Sequence, residues 1–429
     1  MSRSSPQSLA TQLGFLALWL LFLLVPMVFA PSAQESFRLP KLLLAEGLAL
    51  LSLVCLVFRL RHLERVDLSA FFRQPVVVAI LPILAVATSG LLTSDHPLHV
   101  RQALASLWIG LACLVAWSSL LSAEEHWTLL RSLIFPATVL SLLALLQFYH
   151  FFNPFEFADP VEARLGITSL AGGAFDLAAY LVLPCILVQV SLWRQPAGAS
   201  RWVEGLAALA SFYALAVTQT LTAIVAVMVG TVTLWLVLLP RRRAMLAAAG
   251  VALALLVVGL AIEPLRERLD RKLNSLQRGD IDRVLTGRLD GWRAALWMWQ
   301  EHPWTGVGHG AYRAEFGFAK EALAGEGVKF YRSQHQVYFV NAHSDPLEAL
   351  AEWGLLGVVA VAWGFHVLLR ALRRVAAAGG RSAVGPMLAG LAAVAVLASS
   401  NFPLRIGLVA YPVLFFLSWI FASSREAEQ

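Results

Sequence analysis

Charge is scarce in this sequence. Of its 429 residues 14% are charged and 59% hydrophobic, and the mean hydropathy is +0.70. Soluble domains are about a quarter charged, so this balance argues against a soluble enzyme and for a polytopic membrane protein. Cysteine is nearly absent, and Cys55, Cys113 and Cys185 all lie inside apolar runs. That argues against a disulfide framework or a cysteine metal cluster. Internal repeats and low-complexity linkers are missing as well. The outer loop over 263–345 has no HExxH motif or paired-histidine spacing to mark a metal site. "DID" (Asp280 to Asp282) stands in a charged, helix-initiating stretch, so no metal or other cofactor is expected. The net charge of +6 does not point to nucleic acid, because loop arginines that orient a membrane protein account for it.

Long apolar runs are present in their place. A membrane-crossing helix needs about 20 mostly apolar residues. Runs at 13–30, 40–58, 75–93, 101–121, 128–151, 173–193, 203–219, 221–239, 243–262, 346–370, 383–400 and 404–422 predict about twelve transmembrane helices. Met1 to Ala30 has signal-peptide features, with Val28-Phe29-Ala30 as a cleavage-like triplet. The run is long for such a signal, and it is read as an uncleaved first helix. An even count places both termini on one side. Arg59, Arg61, Arg65, Arg73, Arg131, Arg194, Arg201, Arg241 to Arg243, Arg370, Arg373, Arg374 and Arg381 fall in loops on that side. The short opposite loops hold only Arg38, Lys41, Arg101, Arg164 and Arg405. Cytoplasmic loops carry the Lys/Arg excess, so both termini are expected in the cytoplasm.

One loop exceeds a connector. Residues 263–345, about eighty of them, carry nearly balanced acids and bases, whereas unstructured loops rarely exceed about fifteen residues. They predict a folded insert facing away from the cytoplasm. The chain then divides into helices one to nine (1–262), the insert (263–345) and helices ten to twelve (346–429). "GVGHG" (Gly306 to Gly310) lacks the strand-to-helix setting of a nucleotide loop and reads as a turn.

Three residues stand out in the outer segments. The apolar spacing from Ile281 to Trp299 predicts an amphipathic interfacial helix, with Arg288 within about 50° of the centre of its apolar face. A guanidinium there either binds phosphate or carboxylate, or snorkels to headgroups. Arg164 sits in an otherwise acidic loop before the sixth span. It reads as an anchor pairing those acids unless a second cation faces the same cavity. In "NAHSDPLEALAEWGLLG", Asp345 as N-cap, Pro346 at the first helical position and Glu348 as capping-box partner start the tenth span. His343 precedes that start. It is either an interfacial hydrogen-bonded residue or a general base, since imidazole titrates nearest neutrality. His302, His309 and His335 compete with it in the same loop.

"TGRLDGWRAALWMWQEHPWTGVGHGAYRAEF" followed by "AHSDPLEALAEWGLLG" resembles the signature region of the bacterial O-antigen ligase and O-antigen polymerase superfamily. The motif resemblance covers roughly 160–180 and 280–357, and the layout resembles the ligases over the whole chain. It implies an all-α, C-type glycosyltransferase in the inner membrane, metal-independent, with its site on the periplasmic face. The implied donor is a glycan on undecaprenyl pyrophosphate, and the implied acceptor is a sugar hydroxyl of lipid A–core oligosaccharide. The family's essential histidine matches His343, and its two essential arginines match Arg288 and Arg164. Ser344 stands where the family usually has asparagine. The expected chemistry has Arg288 and Arg164 binding the pyrophosphate while His343, as base, deprotonates the acceptor, with inversion. Polymerase and protein O-oligosaccharyltransferase activities share that donor. The single insert favours a ligase, and so does the lack of a C-terminal soluble domain. A flippase or transporter would show inverted repeats or intramembrane charges, whereas the charges here are expected mostly in loops.

Overall fold

The computed structural model describes residues 6–33, 35–58, 68–155, 166–194, 198–246, 250, 263–331 and 339–429. Among these residues the chain is helical, without strands. The helices are α1 (Pro6–Leu23), α2 (Arg38–Val57), α3 (Leu68–Phe72), α4 (Pro75–Thr93), α5 (Pro97–Leu120), α6 (Ala123–Ser132), α7 (Ile134–Phe148) and α8 (Ala174–Arg194). They continue with α9 (Ala199–Val217), α10 (Leu221–Leu238), α11 (Glu263–Gln277), α12 (Ile281–Val284), α13 (Arg288–Glu301), α14 (Tyr312–Gly325), α15 (Asp345–Ser399) and α16 (Gly407–Glu426).

Nine helical segments among the described residues are long and apolar enough to cross a membrane. They are α1 with the turn after it, α2, α4, α5, α6 joined to α7, α8, α10, α15 and α16. The expected seventh span is α9, which is helical but falls outside this group. Its Glu204 accepts from Arg131 Nε at 2.9 Å. The expected ninth span, 243–262, lies mostly outside the described residues. The tenth and eleventh both fall within α15, whose 55 residues are broken at Gly354 (φ 59°) and Gly380 (φ 65°). The expected division at 370–383 therefore falls at the second of these glycines.

Local chemistry accounts for the helix starts. Proline at the first helical position opens α4 and α5, where its missing N–H has no helical partner in any case. Ser122 and Glu125 close a capping box on α6. Burial separates the middle of the bundle from its rim. In α8 83% of the most apolar window is covered by protein, against 33% in α2 and α10, so α8 is central and the others present apolar faces outward.

The insert is folded onto one end of this bundle. Ala294, Ala295 and Met298 of α13 and Tyr312, Phe316 and Ala319 of α14 share one core with Ala87 of α4, Val100 and Leu104 of α5, and Ala351 of α15. Its apolar residues are thus buried against membrane helices as well as each other, which fixes the insert in place.

The single amphipathic helix expected over 281–299 is two helices. Thr286 and Gly287 take left-handed backbone, φ 61° and 78°, and the chain turns there. Asp280 caps α12 by accepting from Arg283 N at 3.0 Å. Arg288 is consequently the first residue of α13, half-buried, and the face computed for a continuous helix does not apply to it. The start of α15 also differs by one residue. Ser344 is the N-cap, accepting from Leu347 N at 3.4 Å, and Asp345 lies inside the helix. Asp345 instead accepts from Leu404 N at 3.2 Å and donates its own N–H to Asn401 O. That ties the start of α15 to the turn before α16.

Candidate functional site

The glycine turn and the first break in α15 are two halves of one joint. Gly354 leaves helical geometry, which frees backbone groups on either side of it. The loop after α13 takes them up. Val307 and Gly308 donate to the carbonyls of Ala351 and Glu352, both at 2.9 Å, while Leu355 and Leu356 donate to Pro303 and Trp304 at 2.9 and 3.1 Å. Buried backbone polar groups must be paired, and here a loop replaces the missing helical partners. The approach is close enough that a Cβ on Gly306 (φ 66°) would lie 2.3 Å from the Glu352 backbone carbon.

This joint sets His309 against Glu352, Nδ1 to Oε2 at 3.0 Å, with both side chains buried. Burial lowers the His309 pKa, the nearby Arg405 charge lowers it further, and the Glu352 hydrogen bond opposes both. The net shift is downward from the ordinary imidazole value. Arg405, just before α16, reaches the same carboxylate and also pairs through Nε with Glu348 Oε1 at 3.0 Å. Burial alone would depress the guanidinium pKa, but Glu352 and then Glu348 outweigh it, so Arg405 is held above its usual value and stays charged.

Glu348 does not act in a capping box. It accepts from Asn341 Nδ2 at 3.0 Å and from the Ala342 N–H at 2.8 Å, on the segment that carries His343. His343 itself has φ 56°, a left-handed conformation uncommon for a residue with a side chain. Its ring packs edge-on against Phe339 and Phe402, with centroids 5.3 and 5.0 Å away. Its carbonyl accepts from Trp292 Nε1 at 3.5 Å. Trp292 is one turn beyond Arg288 on α13, so the two side chains share a face. Gly291 lets α13 lie against this turn, since a Cβ there would be 3.0 Å from the Ala342 oxygen.

A cavity of about 340 Å³ opens beside these groups. Arg38, Lys41, His99, Arg313, Glu352 and Arg405 are among its lining residues. Arg38 makes a two-pronged pair with Asp176 of α8, both bonds 2.8 Å. Its guanidinium also lies over Phe402, 5.8 Å from the ring centroid. Lys41 is 2% exposed and donates to the Val28 carbonyl. Phe402 thus packs against both His343 and the cavity-lining Arg38.

The sequence profile described as O-antigen ligase matches residues 206–362. Over those residues the chain is similar to the O-antigen ligases, which supports membership of that superfamily. The match covers somewhat more than a third of the chain. It includes α13, the glycine turn, His309, His343 and the first part of α15, whereas Arg38, Asp176 and Arg405 lie outside it. A search of curated proteins gave no match.

Against the expected site of an O-antigen ligase, the structure brings His343 and the start of α13, with Arg288, to one region through Trp292 and Gly291. Neither residue lines the 340 Å³ cavity. Arg164 and His335 lie outside the described residues. His302 caps the end of α13, and His309 is tied to Glu352. Among the described residues, no group of three or more His, Cys, Asp or Glu side chains is placed to hold a metal ion.

The expectation that charge collects mostly in loops needs correction. Lys41, Asp176, Glu348 and Glu352 are all buried within long apolar helices. In the sequence alone Arg38, Lys41 and Arg405 are topology markers and Glu348 is a helix starter. A signal was available: Glu348 and Glu352 stand four apart on one helical face, and acids on an apolar helix require partners.

Proposed function

We propose that this protein is an O-antigen ligase in the strict sense, with undecaprenyl-pyrophosphate-linked glycan as donor and a sugar hydroxyl of lipid A–core as acceptor. It is placed in the inner membrane with both termini cytoplasmic, and the 263–345 insert forms a periplasmic domain between helices 1–262 and 346–429. The family match brings that reaction class. The observation that carries the residue assignment is the strained turn bearing His343, held against α13 within the matched segment.

In this reading the imidazole of His343 takes the proton of the acceptor hydroxyl as its oxygen attacks the anomeric carbon. The bond between that carbon and the phosphate oxygen breaks, and undecaprenyl pyrophosphate leaves with the electron pair. Arg288 and Arg164 bind the pyrophosphate and offset its developing charge, a role for which a forked guanidinium suits a phosphate group. Attack opposite the leaving group inverts the anomeric centre, and no metal ion is required. The sharing of Phe402 between His343 and Arg38 favours a site at this junction, where two lipid-linked substrates entering from the bilayer would meet.

The decisive experiment is transfer by the purified full-length protein from undecaprenyl-pyrophosphate glycan to lipid A–core, run with and without chelator. Wild-type protein should transfer equally in both, and His343→Ala should lose about 100-fold or more, as expected for removal of a general base. Near-normal transfer by His343→Ala would end the general-base assignment. Chelator-sensitive transfer would end metal independence. Elongation of the glycan, transfer to a peptide or translocation without transfer would each replace the ligase reading.

A further inference from the structure

We infer that Glu348 is a positioning residue for His343, holding the left-handed turn that presents the imidazole while Arg405 holds Glu348. The inference rests on the proposed role of His343 as base.

A residue with a side chain at φ 56° persists only where its surroundings over-determine it. Here the restraint comes from one buried carboxylate. Oε2 of Glu348 accepts the Ala342 N–H, in the Asn341–Ala342 peptide that leads into the His343 turn, at 2.8 Å. Oε1 accepts both Asn341 Nδ2 and Arg405 Nε, each at 3.0 Å. Glu348 is 2% exposed, so these bonds do not compete with solvent. All three partners are donors, and a carboxylate presents acceptors at both oxygens. An amide at this position would turn its NH2 group either toward Ala342 N or toward Asn341 and Arg405. The turn is further pinned by Trp292 on the His343 carbonyl and by Phe339 and Phe402 around the ring. None of those contacts holds the Asn341–Ala342 peptide, from which the chain enters the His343 turn. Displacing a catalytic group by about an ångström costs on the order of 10²-fold in rate.

A double-mutant cycle tests this with full-length protein in the transfer assay, comparing wild type, Glu348→Gln, His343→Ala and the double variant. Glu348→Gln should lower kcat by about 10–100-fold with KM nearly unchanged. In the His343→Ala background the same substitution should cost nothing further, because a residue acting through His343 has nothing left to position. Asn341→Ala, which removes a single bond to the turn, should show the same pattern with a smaller loss, and it serves if Glu348→Gln does not fold. Wild-type kcat in both Glu348→Gln and Asn341→Ala, with His343→Ala inactive, overturns the positioning role and leaves the base assignment standing. An equal loss in both backgrounds also overturns it, since Glu348 would then act elsewhere. Full activity of His343→Ala removes the base reading itself, and the inference with it.

Discussion

His309 shows how a residue type acquires different chemistry from its surroundings. Its ring is buried against Glu352 and within the field of Arg405, and burial is the largest influence on it. The folded-state pKa lies below that of the unfolded chain, about 6.5, so protons bind the unfolded state more readily. The stability that His309 contributes is therefore complete above about pH 6.5 and lost as pH falls through the folded value. Thermal unfolding in detergent should show wild type losing more Tm between pH 7.5 and 5.5 than His309→Gln. Parallel losses would mean that another group titrates. Histidine spacing alone could not separate His309 from His343. One is fastened to a buried carboxylate, and the other is carried on a strained turn between two phenylalanines.

At the scale of elements, the joint between the glycine turn and α15 explains why the signature segments occur together. Two stretches some fifty residues apart exchange four backbone hydrogen bonds, and each supplies a glycine in left-handed geometry. Gly306→Ala would combine a disfavoured φ with a collision against the Glu352 backbone. It should cost more than about 3 kcal/mol or prevent folding. Gly317→Ala is the matched control. It lies within α14 with open space around it, so the change should be neutral or stabilising by up to about 1 kcal/mol. Equal melting temperatures for the two variants would dismiss the joint as a structural necessity. The turn over 306–310 was legible in the glycines themselves. Its partner was not, because a helix break that a loop fills has no local signature beyond Gly354.

Across the whole molecule, pairs of charges tie distant helices together inside an apolar bundle. Arg38 and Asp176 join α2 to α8, the most enclosed of the described membrane helices. Arg38 remains 49% exposed, so the pair is worth less than a fully buried one. Asp176→Asn should lower stability by about 1–3 kcal/mol, and adding Arg38→Gln should cost less than the sum of the single changes. Thermal unfolding of the four proteins measures this, and an unchanged Tm for Asp176→Asn would show that the pair contributes nothing.

Apolar run lengths were enough to place most membrane helices, and the break in hydropathy after residue 262 was enough to expect a folded insert. Those features are local sums over about twenty residues, and water or lipid enforces them whatever the neighbours are. The resemblance of the signature motif, also a local feature, is what nominates Arg288 and His343 for the proposed site. Tertiary structure decided the rest. It split the 281–299 helix at Thr286 and Gly287, moved the cap of α15 to Ser344, and turned Glu348 from a helix starter into the anchor of the His343 turn. It also paired Arg405 with Glu352 across 53 residues and Arg38 with Asp176 across 138. A buried charge is tolerable only beside its partner. Which partner that is depends on which helices become neighbours, and no stretch of sequence specifies that alone.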